Sequence, residues 1–390
     1  MVKSYPTLGS TVNYSFWADP SVAALARCGT NSVLRLIQAG YDCEQYRDLL
    51  TKAVADGRAQ RKKARAERTR TGKVSGCLFI NLPVANLLKE KKEAPVITAG
   101  RPALDPVLMF RVVLLAVLTN RSDSEMALAI ASDALVRHFV RVGPGSFISR
   151  QAIWDYREFF TQSGVFESIF LRHVNELRTS DLVGNDGPLI LDGSFVEAPK
   201  QRNTPEENKL IKEGRGGELF NDNPSKKSHK DIDARWTKKR GEVHFGYKIH
   251  PLVDAVNKII LFAPTTSASV HDSQALGLVL NEEEDKGKVL YADSAYAGKE
   301  LEELVRSFNV EPCFCEKGYK NRPLTQKQKD SNKQKSKTRC RIEHVFGFIQ
   351  TVFKGSCVRM IGIVRATAHN WLMAFAYNLC RQEMLCRQQE

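Results

Sequence analysis

The sequence predicts an all-α N-terminal module followed by an α/β domain with a mixed sheet and flanking helices. Two observations support this fold class. Residues 105–180 repeat apolar side chains at helical spacing, whereas short apolar runs alternate with amphipathic segments after Gly187 and Pro188. Alternating strands and helices are typical of an α/β domain. The 42% of hydrophobic residues is enough to build a core.

The helical module is expected to span residues 103–182 and to contain four helices. The first begins near Asp105, where Leu108, Val112 and Leu115 fall on one helical face. The other three are expected to begin at Asp123 or Ser124, at Ser149, and near Val165. Residues 1–102 match no pattern that assigns them a fold.

The α/β domain is expected to occupy residues 183–390. The predicted strands are 189–191, 243–253, 258–262, 289–292 and 310–315, and the predicted helices are 272–280, 298–308, 338–354 and 366–387. The polar stretch 197–240 shows neither the helical nor the strand spacing of apolar residues, so we expect it to form a mobile loop.

The positive charge of the chain is concentrated in three segments. The chain has 58 Lys and Arg against 44 Asp and Glu, which gives a net charge of +14. Residues 58–73 carry +7, residues 226–240 carry +5 and residues 317–341 carry +9, so the remaining residues sum to −7. Such patches indicate a polyanionic partner, which is nucleic acid or less often an anionic membrane surface.

Several classes of protein do not fit the sequence. The most apolar run, 107–118, is interrupted by Arg111 and is too short for a bilayer. No compact apolar segment follows a basic N-terminus, so we expect no secretory signal and a cytoplasmic protein. The nine cysteines are scattered, and Cys313 and Cys315 form a C-x-C rather than the paired C-x-x-C of a zinc ribbon. We therefore expect reduced thiols.

Two aspartates share one sequence context. Asp192 follows the run LIL and Asp293 follows VLYA, so each ends a strand of the kind that is buried at the centre of a sheet. A carboxylate at such a position is costly unless a positive group lies beside it. The alternative is turn chemistry, because Asp192-Gly193 is a turn dipeptide and Asp293 can cap the residues that follow.

Glu343 is a third candidate carboxylate. It lies off the apolar stripe of the predicted helix 338–354, with Arg339 four residues before it and Gly347 four residues after it. Taken alone, it fits a solvated Glu–Arg pair worth about 0.3–0.5 kcal/mol. Together with two aspartates and many bases, it indicates a two-metal phosphoryl-transfer site, since Mg²⁺ prefers carboxylate oxygens and retains water ligands.

Six sequence segments, in this order, resemble one known family. They are LILDGSFVEAP at 189–199, DIDARWTKKRGEVHFGYKIH at 231–250, TSASVHDS at 266–273, VLYADSAYAG at 289–298, RCRIEHVFGFIQ at 339–350 and AYNLCR at 376–381. They resemble bacterial insertion-sequence transposases of the DDE type, in the large family-five branch, whose catalytic domain is RNase H-like. The helical stretch from Asp105 resembles the family's N-terminal module, which implies binding of transposon ends.

The resemblance implies an activity and a site. Asp192, Asp293 and Glu343 would be the catalytic and metal-binding residues, with two Mg²⁺ ions (or Mn²⁺) and with Asp192 bridging them. The implied reaction is metal-dependent cleavage at transposon ends, followed by transfer of the freed 3′-OH into target DNA. The implied partner is double-stranded DNA, on which we expect a homodimer.

The chain departs from the spacing Y-x2-R-x3-E-x6-K of related transposases. Arg339 and Glu343 fit it, but Ser336 stands at the Tyr position and Gln350 at the Lys position. Lys354, one turn later on the predicted helix, is expected to replace that lysine.

The remaining candidate residues concern DNA binding. The predicted DNA contacts are Arg235, Trp236, Lys238, Lys239, Arg240, Lys248, Arg339 and Lys354. Basic groups around an aromatic suit a phosphate backbone and an exposed base, although a solvated hairpin with one packed Trp gives the same pattern. Asp272 is expected either near the site or at a helix N-cap. His244 and His250 are expected to be structural.

Two other functions remain open. One is an RNase H-like nuclease that hydrolyses DNA without strand transfer. The other is a non-enzymatic DNA-binding protein derived from a transposase.

Overall fold

A computed structural model of the protein describes residues 32–71, 103–184, 187–239, 241–319 and 322–389. The chain divides between Ile169 and Phe170 into two compact units. Residues 1–31 and 72–102, most of the unassigned N-terminal region, lie outside the described residues. Among the described helices, none combines the length and apolarity that a membrane crossing requires.

The first unit is all-α, as predicted. Its helices are α1 (Ser32–Ala39), α2 (Arg47–Thr71), α3 (Pro106–Leu118), α4 (Asp123–Ser132), α5 (Ala134–Val140), α6 (Arg150–Ser163) and the start of α7 (Val165–Thr179). Asp105 and Ser149 cap α3 and α6 through their side chains, as their sequence positions indicate. The cap of α4 is Ser122 rather than Asp123 or Ser124, in a reciprocal capping box with Glu125.

Residues 105–180 contain five helices instead of the four expected. The break falls at Asp133, whose extended backbone ends α4 and whose carboxylate accepts hydrogen bonds from the N–H groups of Leu135 and Val136. A short acidic side chain that bonds to nearby backbone competes with helix continuation. The apolar period runs on through the break, so periodicity alone does not show it.

The basic run 58–73 largely belongs to helix α2. The helix buries Leu50 and Val54, and the glycine that follows, Gly57, faces the ring of Phe159 so closely that a Cβ would overlap Cδ1. Arg61 donates to Asp155 over 2.8 Å. Helix α2 therefore packs against α6 within this unit.

The second unit contains the predicted mixed sheet. Its strands are β1 (Leu189–Leu191), β2 (Ser194–Glu197), β3 (Arg235–Lys239), β4 (Glu242–Ile249), β5 (Leu252–Asp254), β6 (Ile260–Phe262), β7 (Thr265–Ser267), β8 (Val289–Ala292) and β9 (Glu311–Phe314). Five of them form a sheet in the order β6-β5-β1-β8-β9. β1, β8 and β9 run parallel, and β5 and β6 are antiparallel to their neighbours. The predicted α/β fold class is confirmed.

The stretch 197–240 is not a mobile loop, contrary to expectation. It forms α8 (Pro205–Lys212), α9 (Pro224–Ser228) and strand β3, which pairs with β4 in a second sheet together with β2 and β7. A capping box between Thr204 and Glu207 begins α8. Such short polar elements depend on caps and pairing rather than on an apolar stripe, so the sequence pattern misses them.

The remaining helices flank the sheet. They are α10 (Leu276–Val279), α11 (Lys299–Ser307), α12 (Gln326–Arg339), α13 (Arg341–Val352) and α14 (Ile363–Gln389). The predicted helix 338–354 is therefore wrong at both ends, because α12 stops at Arg339 and α13 stops at Val352. α14 is tied to the sheet by Asn378, whose amide bonds to the N–H and C=O of Ile260 over 3.0 and 2.8 Å.

Candidate active site

Asp192 and Asp293 lie side by side at one edge of the sheet. β1 and β8 are adjacent parallel strands in which Leu191 pairs with Ala292, and each aspartate is the next residue of its strand. Parallel neighbours bring their carboxyl ends to the same edge. The two carboxylates predicted from their strand contexts are therefore brought together by strand pairing.

The surroundings of Asp192 disfavour the charged form of its carboxylate. Burial raises its pKa, and the neighbouring charge of Asp293 adds to the increase, while the Gly193 N–H, Arg339 and Lys239 oppose it. Its Oδ1 accepts from the N–H of Gly193 over 2.8 Å, and its Oδ2 accepts from Arg339 over 2.9 Å. The site thus holds negative charge that its present partners compensate only in part.

Asp293 performs the turn role that its sequence also allowed. Its Oδ1 accepts from the N–H of Ser294 over 2.7 Å and caps the 3₁₀ turn Ser294–Tyr296. The cap occupies one carboxylate oxygen. Turn chemistry and a position beside Asp192 are therefore compatible, since one residue satisfies both.

Glu343 is connected to Asp192 through Arg339. It sits in the first turn of α13 with 65% of its side chain exposed, and its Oε1 lies 3.8 Å from the Arg339 guanidinium. Arg339 is the last residue of α12 and also contacts Asp192. In this arrangement a guanidinium stands between the first and third predicted carboxylates.

A fourth carboxylate, Asp272, borders the site. Its Oδ1 accepts from the buried Lys248 over 2.8 Å, and its Oδ2 lies 3.4 Å from Lys239. A Cβ on Gly193 would lie 3.1 Å from Oδ1 of Asp272, which places this ion pair beside Asp192. Burial alone would raise the pKa of Asp272, but the hydrogen bond from Lys248 and the charges of both lysines hold it below its ordinary value.

The sequence offered two alternatives for Asp272, a place near the site or a helix N-cap. The N-cap of the 3₁₀ turn Asp272–Ala275 is His271, so the helix-cap alternative for Asp272 is wrong. The partner lysine stands on β4, more than twenty residues earlier in the chain. A pairing across that distance leaves no local signal.

Two buried polar groups near the carboxylates lack partners among the described residues. The hydroxyl of Tyr296 accepts and donates no hydrogen bond there, although the residue is only 1% exposed. Burial, then the charges of Asp272, Asp192 and Asp293, raises the pKa of Tyr296 well above its ordinary value. His250 bonds to Thr266 through Nε2 over 2.8 Å, while Nδ1 has no partner in this part of the chain. Burial lowers the pKa of His250 to about 4.

The predicted DNA contacts fall into two groups. Lys238, Trp236 and Lys354 are exposed, and the Trp236 ring centroid lies 4.8 Å from that of Phe245. Lys354 is not on helix α13 but two residues beyond it, in the left-handed region with φ of 55°. It therefore does not continue the helix face that was expected to carry it.

The other group donates inside the protein. Arg235 donates to the carbonyl oxygens of Ile232, Ala234 and Ile211. Lys248 donates to Val270 and Asp272, and Arg339 to Asp192. Arg240 lies outside the described residues. Of the basic predicted contacts, Lys239 alone is both half-exposed and adjacent to the carboxylates in the part of the chain that the structure describes.

The side chains at this site meet part of what a divalent ion requires of its ligands. In the described ranges, no three His, Cys, Asp or Glu side chains are gathered closely enough to hold an ion. Asp192 and Asp293 nevertheless supply adjacent hard oxygen donors, and two carboxylates suffice for Mg²⁺ because it retains several waters. The partnerless Tyr296 hydroxyl beside them is a further polar group suited to a hydrated ion.

Comparisons with known proteins concern the family of the chain. The family model described as "Transposase DDE domain" matches residues 184–379, and the model described as "Transposase domain (DUF772)" matches residues 79–158. The chain is 33% identical, over 155 residues, to the transposase for insertion sequence element IS1106 of Neisseria meningitidis serogroup B. That match covers 39% of this chain and 52% of the relative, so the chain spans about half the length of the relative it matches. No solved structure matches the chain.

Proposed function

The chain belongs to the transposase DDE domain family, and from this premise we propose that it cuts DNA at the ends of an insertion sequence and joins the freed ends to target DNA. The observation that carries the proposal is the placement of Asp192 and Asp293 after paired residues of two adjacent parallel strands. Carboxylates in that arrangement, bordered by Arg339 and Lys239, suit a negatively charged phosphodiester with its counter-ions.

The reaction would proceed in two steps. In the first, a water oxygen attacks the phosphorus, the bond to the 3′ oxygen breaks, and that oxygen leaves as a 3′-OH. In the second, the 3′-OH attacks a phosphodiester of target DNA and displaces another 3′ oxygen. Two Mg²⁺ ions (or Mn²⁺), held by Asp192, Asp293 and Glu343, would supply activation of the attacking oxygen and charge stabilisation on the leaving oxygen.

The protein's own groups would hold and orient the DNA. Lys238 and Trp236 present a charge and a ring at the surface of the second sheet. Helix α12 carries six lysines and arginines against one acid and has no buried residue. Arg339 and Lys335 donate inside the protein, so the four exposed lysines of the helix are the charges available to a phosphate backbone. We infer double-stranded DNA as the partner, a homodimer when both ends are bound, and action at the nucleoid in the bacterial cytoplasm.

The test uses a plasmid that carries the DNA flanking the protein's own coding sequence. Purified protein is incubated with this plasmid and a target plasmid in Mg²⁺, and products are separated by size. Cut ends together with joined products support the proposal. Cut ends without joined products favour the nuclease alternative. Binding without cleavage in any divalent ion favours the non-enzymatic DNA-binding alternative and contradicts the proposal.

A further inference from the structure

Lys239 stands at the end of β3, on the face of the second sheet that borders Asp192. Consecutive strand residues point to opposite faces, so Lys238 and Lys239 diverge. The ammonium of Lys239 lies 5.6 Å from the ring centroid of Phe195, and that of Lys248 lies 5.2 Å from the same ring. Phe195 pairs with Lys248 in the ladder and follows Asp192 by three residues. One face therefore gathers an aromatic ring and two cations next to the first aspartate.

The two lysines of this face are in different electrostatic situations. Lys248 is buried and neutralises Asp272 through a 2.8 Å contact, with a second donation to the carbonyl of Val270 over 2.7 Å. Lys239 keeps 45% of its side chain exposed and lies 3.4 Å from the other oxygen of Asp272. Asp272 thus already has a full counter-ion, and the ammonium of Lys239 retains donors for a ligand.

A purely structural role does not explain Lys239. A half-exposed ion pair at this distance contributes little to stability. Its partner Asp272 lies beside Asp192, since a Cβ on Gly193 would be 3.1 Å from Oδ1 of Asp272. The ammonium therefore lies within electrostatic reach of the atoms where the phosphate would be cut.

We propose that Lys239 is a further catalytic residue, which binds a non-bridging oxygen of the phosphate that is cut, whereas Lys238 contacts DNA only as a general backbone charge. This inference rests on the proposed function. Phe195, Lys248 and Asp272 are positioning residues that hold the ammonium over the edge beside Asp192. Lys239 makes and breaks no bond; it stabilises the charge that develops on the phosphate oxygens.

The experiment compares Lys239→Ala with the matched control Lys238→Ala, and with Lys239→Arg. The cleaved position is first mapped with the wild-type protein on the plasmid that carries the flanking DNA. Duplexes are then made with either a normal phosphate or a methylphosphonate at that position, which removes one charged oxygen. Single-turnover cleavage rates at saturating protein and dissociation constants are measured for every pair.

Lys239→Ala is expected to lower the saturated cleavage rate roughly 10²-fold, with little change in DNA affinity and partial recovery in Lys239→Arg. The methylphosphonate should slow Lys239→Ala much less than it slows the wild type, because the contact is already lost. Lys238→Ala should instead weaken binding, reduce its salt dependence by about 0.9 in the log–log slope, and respond to the methylphosphonate as the wild type does.

Two results overturn the inference in distinguishable ways. In the first, the wild-type protein cleaves DNA, but the effects of Lys239→Ala and of the methylphosphonate are additive. Lys239 then does not bind that phosphate oxygen, and the proposed function stands. A wild-type protein that cuts no DNA contradicts the proposed function, and the role of Lys239 falls with it.

Discussion

The guanidinium of Arg339 donates to Oδ2 of Asp192 over 2.9 Å, across 147 residues of sequence. The same group lies 3.8 Å from Glu343. A cation thus joins the first and third predicted carboxylates. The two are linked electrostatically through this guanidinium, although the described carboxylates are not gathered into one metal-binding group.

Replacing Arg339 is expected to strengthen binding of a divalent ion. In Arg339→Ala the carboxylate of Asp192 loses a competing cation, and a gain of roughly 1 kcal/mol corresponds to about a fivefold lower dissociation constant. Mn²⁺ binding measured by electron paramagnetic resonance, without DNA, gives this value directly. Lys337→Ala, at an exposed position of the same helix, controls for net charge. Equal Mn²⁺ affinities for the two variants would rule out the competition.

Lys248 is expected to be required for stability. Lys248→Met leaves Asp272 buried without its 2.8 Å partner, and breaking a buried pair in this way costs about 3–5 kcal/mol. Urea denaturation measures the free energy of unfolding. Lys239→Met, which removes the half-exposed partner of the same carboxylate, should cost less than about 1 kcal/mol. Were Lys248 a DNA contact alone, Lys248→Met would be as stable as the wild type.

His250 is expected to make the protein sensitive to acid. Burial lowers its pKa to about 4 in the folded state, against about 6.5 when unfolded. The unfolded chain therefore binds more protons below pH 6.5. The stabilising contribution of neutral His250 is fully present above that pH and is lost as the pH falls towards 4.

This loss is measurable as a difference between variants. Between pH 7 and pH 5 the His250 contribution is about 2 kcal/mol. His250→Gln should lose less stability than the wild type over that interval, in urea titrations at the two pH values. His229→Gln, at an exposed histidine, should follow the wild type. Identical pH dependence in all three proteins would mean that His250 titrates normally in the folded state.

Gly57 is expected to be essential to the contact between α2 and α6. A Cβ at this position would overlap the ring of Phe159, so Gly57→Ala should destabilise the protein by about 1–3 kcal/mol, even though Ala favours helix elsewhere. The double variant Gly57→Ala, Phe159→Leu should be less destabilised than the sum of the two single changes. Thermal unfolding that shows Gly57→Ala as stable as the wild type would contradict this packing.

The features that could be predicted from the sequence are those that depend on a local pattern of residues. LIL and VLYA are apolar at consecutive positions, which identified the strands that precede Asp192 and Asp293. β1 is buried throughout, as expected, whereas only Leu290 and Ala292 are buried in β8. The adjacency of the two aspartates followed only from the pairing of β1 with β8. Glu343 was singled out because it lies off the apolar stripe of its helix, with Arg339 four residues before it and Gly347 four residues after it.

Contacts between distant segments could not be predicted in this way. The bond between Arg339 and Asp192, and the pairing of Lys248 with Asp272, depend on how strands and helices meet in three dimensions. The sequence did not predict that α13 ends before Lys354. The apolar period continues to Phe353, one residue beyond Val352, where the helix ends. Helices α8 and α9 were missed because polar, capped segments carry no apolar period.

One assay addresses the proposed role of Asp192, Asp293 and Glu343 in metal-dependent DNA cleavage. Single-turnover cleavage of the plasmid carrying the flanking DNA is measured in Mg²⁺ for wild type, Asp192→Asn, Asp293→Asn, Glu343→Gln and the exposed control Asp330→Asn, with DNA affinity measured alongside. Each of the three site variants is expected to cleave about 10³-fold more slowly or worse, with DNA affinity largely retained, and Asp330→Asn is expected to cleave like the wild type. Near-wild-type cleavage by Asp293→Asn would contradict the proposed role.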